Sequence, residues 1–185
     1  MPAITELFPP LETERLKLVP LSPAYTDFIF HHFSDEAVTR WLLDEPPLSD
    51  YAGAEALVRF FTQPGEKTYN RWVLVRKTDQ RPIGTVGFHK WIKAYQRSEI
   101  GYDLSPDCWR QGYMREALRA VLAHGFNQLG LNRIDALVYV NNPASAGLLE
   151  ALHFRQEGTL RDYFCQNGVF YDHFIYALLK REWRM

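Results

Sequence analysis

Three stretches of this sequence combine residue types and spacings that could do chemistry. In RSEIGYDL, Arg97 to Leu104, the period-two rule puts Ile100, Tyr102 and Leu104 on one face of a strand and Glu99 and Asp103 on the other, so a carboxylate is expected mid-strand, an unusual place for one. SPDCWRQGYMREALRAVLAHGF follows: Pro106 and Asp107 break the strand, and Gly112 supplies backbone without a Cβ. An amphipathic run of Ala117, Leu118, Val121, Leu122 and Phe126 then begins. The first N–H groups of a helix lack internal partners and carry the positive end of its dipole, so such a corner favours phosphate. The third stretch, NNPASAGLLEALHF, is helix-start chemistry, with Asn142 as cap and Ser145 in the first turn.

Each stretch has an ordinary structural alternative. Glu99 can pair with Arg97 or Lys93 on a solvated face, Gly112 can be a plain helix-start glycine, and NPAS caps a helix on any fold. Cys108 has no histidine near it in sequence to act as a base. His31, His32, His89, His124, His153 and His173 show neither HxxxH nor Cys–His spacing, so no metal site is expected. Trp41, Tyr69, Trp72, Trp91 and Tyr95 have no basic patch beside them and read as core or interface rather than a platform for nucleic-acid bases.

The elements that must position these residues belong to one domain spanning residues 1–185, 46% hydrophobic and large enough for one full core. Lys and Arg number 21 against 22 Asp and Glu, which argues against a nucleic-acid backbone as the main partner. Two cysteines, Cys108 and Cys165, form neither a disulfide framework nor a metal pair. MPAITELFPP lacks a basic segment followed by an apolar one, and no run reaches ~18 apolar residues, so a soluble cytoplasmic protein without a membrane partner is expected.

Along the chain, RLKLVPL (Arg15 to Leu21) alternates as an edge strand stopped at Pro20. Helices are expected after Ser22, after Ser34, and from Ser49 or Asp50 to Pro64-Gly65. WVLVR and IGTVGFHKW form a hairpin turning near Asp79, which Arg97 to Leu104 extends into a meander. A helix ending at Gly130, a strand over Asn132 to Val140, a helix from Pro143 to Leu152, and strands Arg155 to Tyr163 and Val169 to Leu179 turning at Asn167-Gly168 complete the order. That order predicts a mixed α+β domain, its sheet covered by helices on both faces.

This order and the Gly112 corner resemble the GNAT family of acyl-CoA N-acyltransferases. The likeness is greatest to the RimJ/RimL branch, which acetylates N-terminal amines of ribosomal proteins, and is carried by LETERLKLVPL, EIGYDLSPDCWRQGYMREAL, NNPASAGLLEALHF and RQEGTLRDYFCQNGVFYDHFIYALLKREW. The resemblance implies a mixed, mostly antiparallel sheet of about seven strands with a splay between the strands at 97–104 and 132–140 that receives acetyl-CoA. Of the general loop motif only the glycine, Gly112, is present; Trp109 and Tyr113 follow the RimJ/RimL version, and Met114 must point its side chain away from the pyrophosphate.

In the resemblance, Glu99 is the general base that frees the amine nucleophile, and main-chain groups of Tyr102, Asp103 and Leu104 pair with the pantetheine arm. Arg110, Gln111, Gly112, Tyr113, Met114 and Arg115 enclose the pyrophosphate, Asn142 bonds the arm from the far side, and Ser145 stands near the sulfur as donor to the leaving thiolate. Leu149 stands where many relatives have a tyrosine, Phe164 near where RimL-like enzymes have a glutamate, and His153 where a glycine is usual, for which an altered turn is expected. The implied acceptor is a protein N-terminus, such as that of a ribosomal protein. Asp35, Glu36, Asp44, Glu45, Asp162 and Asp172 are candidates to attract its ammonium group. A small-amine acceptor, or an acyl-CoA-binding module without turnover, is the alternative; monomer and homodimer both stay open.

Overall fold

A computed structural model describes residues 7–42, 46–63 and 68–184. The strands are β1 (Leu11–Glu12), β2 (Leu16–Pro20), β3 (Trp72–Arg76), β4 (Pro82–Ile92), β5 (Arg97–Leu104), β6 (Arg133–Tyr139), β7 (Arg155–Gln166) and β8 (Val169–Leu179). The α-helices are α1 (Thr26–Ser34), α2 (Glu36–Thr39), α3 (Tyr51–Thr62), α4 (Tyr113–Asn127) and α5 (Pro143–Glu150). They build one sheet of eight strands in the order β1-β2-β3-β4-β5-β6-β8-β7, antiparallel throughout except where β5 meets β6.

β2 is not an edge strand: the two-residue β1, too short to carry a periodic signal, pairs along its outer side. β1 also brings the sheet to eight strands. The helix expected to stop at Pro64-Gly65 is described through Thr62, and that dipeptide lies outside the described residues. Asp50 caps this helix, accepting from the Gly53 N–H at 2.8 Å.

Both faces of the sheet are covered. On one, Leu16, Trp72, Phe88, Ile100, Ile134 and Val138 pack with Leu118, Val121 and Leu122 of α4 and Leu149 of α5. On the other, Val73 and Val75 pack with Ile29 and Phe33 of α1 and Val58 and Phe61 of α3. Gly125 lets α4 lie close to the sheet, since a Cβ there would come within 2.8 Å of Phe88 Cζ. The Asn167-Gly168 hairpin turns with φ of +52° and +77°, the left-handed pair that a tight two-residue turn requires.

The feature that matters for function is where pairing stops. β5 and β6 run parallel and pair only through Arg97–Arg133, Ser98–Ile134 and Glu99–Asp135. Past that vertex β5 stays with β4 and β6 with β8, so the two strands part. The buried Asp135 carboxylate ties the vertex, 2.5 Å from Arg97 Nε and 2.6 Å from Arg133 Nε. On the other side of β5, the β4 register slips between His89 and Ile92, a bulge that adds local twist.

Candidate active site

Strand parity decides which groups of β5 face the opening. Ser105 N–H donates to Ile83 C=O at 2.8 Å, so the odd-numbered residues of β5 bond to β4. The main-chain groups of Ile100, Tyr102 and Leu104 therefore turn toward the gap. Leu104 C=O accepts from Trp109 Nε1 at 2.7 Å, which fastens the following loop to the strand end. Asp103 differs from its neighbours: its main chain faces β4, and its side chain sits in a buried cluster on the opposite face from Tyr102.

That carboxylate accepts from Thr85 N–H at 2.9 Å, Thr85 Oγ1 at 2.5 Å and Arg71 Nη1 at 3.2 Å, and lies 2.7 Å from His32 Nε2. Burial works to raise the Asp103 pKa, but His32, Arg71 and Thr85 outweigh it and hold the group below the usual carboxylate range. Since His32 belongs to α1 and Arg71 precedes β3, the cluster clamps the splayed half of β5 from one face. Sequence reasoning had no route to it, because the partners lie 71, 32 and 18 residues away.

The loop from Pro106 to Gly112 needs two left-handed residues, Arg110 at φ +58° and Gly112 at φ +81°. Gly112 caps α4, whose first helical donor is Glu116 N–H to Gly112 C=O at 3.0 Å. The N–H groups of Tyr113, Met114 and Arg115 thus precede the helical ladder, at the positive end of a 15-residue helix. The Met114 side chain is buried in the core, so its bulk leaves the loop's outer side clear. Gln111 is held through Nε2 to Asp107 C=O at 2.7 Å.

Arg15, unassigned by the sequence reading, fixes this corner from β2's start. It donates to Gln111 C=O at 3.0 Å, pairs with Glu116 at 2.7 Å, and lies 4.4 Å over the Tyr113 ring. Burial favours a raised Glu116 pKa, yet bonds from Thr13 and Arg15 bring it below normal.

Glu99 sits at the vertex with its side chain 23% exposed, paired with Lys90 Nζ at 3.1 Å rather than with Arg97 or Lys93. Its ladder partner His89 has its pKa lowered to about 3, mainly by burial, with Arg71 and Lys90 adding to it. Across the opening, Asn142 Oδ1 accepts from Ser145 N–H at 3.1 Å as the cap of α5. Ser145 Oγ lies 2.8 Å from Tyr102 Oη. Glu99 and Ser145 are thus on opposite faces of the sheet with the gap between them. The Tyr102 hydroxyl went unremarked in sequence, where the ring reads as one of three apolar-face residues.

Several other expectations acquire a definite place. Asp35 accepts from Ala37 N–H as a cap of α2, and Asp172 accepts from Asp162 N–H across a bulge in β7. Glu36 lies in the first turn of α2, and Asp44 and Glu45 lie outside the described residues. His153 takes a left-handed backbone at φ +66°, a conformation more usual for glycine. Phe164 packs on His173, with ring centroids 4.7 Å apart. The buried Cys108 thiol has its pKa raised by burial, which disfavours the nucleophilic thiolate. Among the described residues, no three His, Cys, Asp or Glu side chains converge as a metal site requires, and no helix is long and apolar enough to cross a membrane.

Comparison with known proteins matches residues 15–155 to a family model described as an acetyltransferase (GNAT) domain. The uncharacterized N-acetyltransferase YoaA of Bacillus subtilis is 38% identical over 94% of this chain and 98% of its own length. The [ribosomal protein uS5]-alanine N-acetyltransferase of Escherichia coli is 29% identical over 55% of this chain and 53% of its own. Among solved structures, the spermidine N-acetyltransferase from Vibrio cholerae in complex with CoA and spermine superposes with a TM-score of 0.81 at 23% identity, covering 91% of this chain and 97% of that one.

Proposed function

Since this chain belongs to the GNAT acetyltransferase family, and is an N-acetyltransferase, we propose that it carries an acetyl group from acetyl-CoA to the N-terminal α-amine of a protein or peptide. The observation that carries the reading is the parting of β5 and β6 after Glu99, beside the free N–H groups at the start of α4. The fit to acetyl-CoA rests on those groups: outward main chain at Tyr102 for the amide-bearing arm, and helix-start N–H groups of Tyr113, Met114 and Arg115 for its phosphates. Trp109, Arg110, Gln111 and Gly112 shape that corner, Asn142 borders the arm, and Asp103 contributes through its buried clamp rather than its main chain.

Acetyl-CoA supplies the activated acyl group as a thioester. Glu99 takes a proton from the incoming ammonium, directly or through water, so that a neutral amine attacks. Ser145, on the other face, donates to the sulfur as the carbon–sulfur bond breaks. Entry of the amine on one face and departure of the thiol on the other suits direct transfer without an acyl-enzyme.

The N-terminal acceptor is supported by the relative that acetylates a ribosomal protein, whereas the likeness to the spermidine enzyme is one of fold. Calorimetric titration with acetyl-CoA, and thiol release with peptide acceptors, test the proposal. Binding without release across peptide and small-amine panels would favour a binding module instead.

A further inference from the structure

Between the splayed half of β5 and the element that follows β6, a hydrogen bond crosses the opening: Tyr102 Oη to Ser145 Oγ, at 2.8 Å. Its polarity follows from what each hydroxyl can do. Tyr102 is mostly buried, and Ser145 is the partner its hydroxyl reaches. A phenol is the stronger donor and poorer acceptor of the two, and a buried O–H must place its proton on some acceptor. Burial also pushes the Tyr102 pKa above the ordinary tyrosine range, against the opposing effect of Ser145, so the phenol keeps that proton. With Tyr102 as the donor, the Ser145 oxygen receives the tyrosine proton and its own O–H is left to point elsewhere. Its backbone N–H is already fixed on Asn142 Oδ1, which holds the residue in the first turn of α5.

We propose that Tyr102 is a positioning residue for acetyl transfer: by donating to Ser145 Oγ, it turns the serine hydroxyl toward the leaving sulfur and strengthens it as a donor. The inference rests on the acetyltransferase reading and deepens it. A lone serine hydroxyl in a first helical turn rotates among water, backbone and ligand acceptors. With one lone pair engaged by Tyr102, those alternatives narrow, and a donor polarised by a second donor is stronger. As the carbon–sulfur bond breaks, its electron pair passes to sulfur, which receives the Ser145 hydrogen bond while the negative charge develops. Neither hydroxyl is consumed; the proton that completes the thiol is the one the attacking nitrogen gives up. The next turn of α5 offers no substitute, since Leu149 is apolar and fully buried.

The test is a double-mutant cycle on thiol release under saturating acetyl-CoA, with the dissociation constant for acetyl-CoA measured for each variant. Tyr102→Phe keeps the ring and its packing. It is expected to lower kcat by about 3- to 10-fold, the worth of one neutral hydrogen bond, with acetyl-CoA affinity changed by less than about 2-fold. Ser145→Ala is expected to lower kcat about 10-fold, and the double variant no further, because Tyr102 acts through Ser145. Wild-type kcat in Tyr102→Phe, or losses that multiply in the double variant, would overturn the inference while leaving the acetyltransferase reading intact. A wild-type protein that binds no acetyl-CoA and releases no thiol would overturn both.

Discussion

Truncating Asp103 to alanine removes four interactions at once from a place that water does not reach. The Asp103 side chain is 4% exposed, and its partners His32 and Arg71 are 2% and 14% exposed. After truncation, Thr85 N–H loses the carboxylate acceptor it has at 2.9 Å, and Arg71 keeps a charge beside an apolar gap. Removing one member of a buried ion pair destabilises by about 3–5 kcal/mol, because the stranded partner stays desolvated. For a chain of this size that corresponds to a Tm lower by roughly 6–20 °C.

Urea denaturation followed by circular dichroism measures the difference. The sign with pH is fixed by the lowered pKa of Asp103: the ionised form is favoured in the fold, so its stabilisation is complete above the unfolded value of about 3.9 and is lost as pH falls through the folded value. The gap between wild type and variant should thus narrow in strong acid, as Asp103 takes up its proton. A loss under about 1 kcal/mol at pH 7 would show that the cluster does not hold β5 to α1 and β3.

Glu99→Gln should lower kcat by about 10²- to 10⁴-fold near neutral pH with acetyl-CoA affinity nearly unchanged, and an unaltered pH–rate profile would remove Glu99 from the role of base. Gly112→Ala meets no crowded atom, its Cβ lying 3.4 Å from Arg15 Nη2, but forces alanine to φ +81°. That strain of about 1–2 kcal/mol at the loop should weaken acetyl-CoA binding by about 5- to 30-fold in calorimetry, and equal affinity would contradict the phosphate-loop assignment. His89 stays neutral in the fold down to about pH 3 but takes up a proton near its ordinary value when unfolded. Its contribution is therefore whole above pH ~6.5 and drains away in acid at up to about 1.4 kcal/mol per pH unit; His89→Gln should flatten that slope in denaturation series at pH 7, 5.5 and 4.5.

Local chemistry explains what could be read in advance. The period-two run from Arg97 to Leu104 and the amphipathic helix after Gly112 are written in neighbouring residues, and both elements form where expected. The parting of the strands came from resemblance, since no residue pattern encodes where a parallel ladder stops. What escaped reading joins distant positions: Arg15 reaches Gln111 across 96 residues, and Tyr102 reaches Ser145 across 43. In the sequence His32 stands out only as one of six histidines without metal-ligand spacing, yet it contacts Asp103. The Lys90 partner of Glu99 was missed because an extended-strand reading puts Lys90 on the opposite face from its neighbour His89, and the φ of +49° at Lys90 breaks that alternation.

In the proposed reaction this protein acetylates protein N-termini using acetyl-CoA held between β5 and β6. The most direct measurement is thiol release by the purified chain with two acceptor panels, one of N-terminal peptides including ribosomal-protein sequences, the other of polyamines, aminoglycosides and amino acids. A subset of the peptides should turn over, with loss of signal when their α-amine is blocked. Turnover confined to the small amines would contradict it.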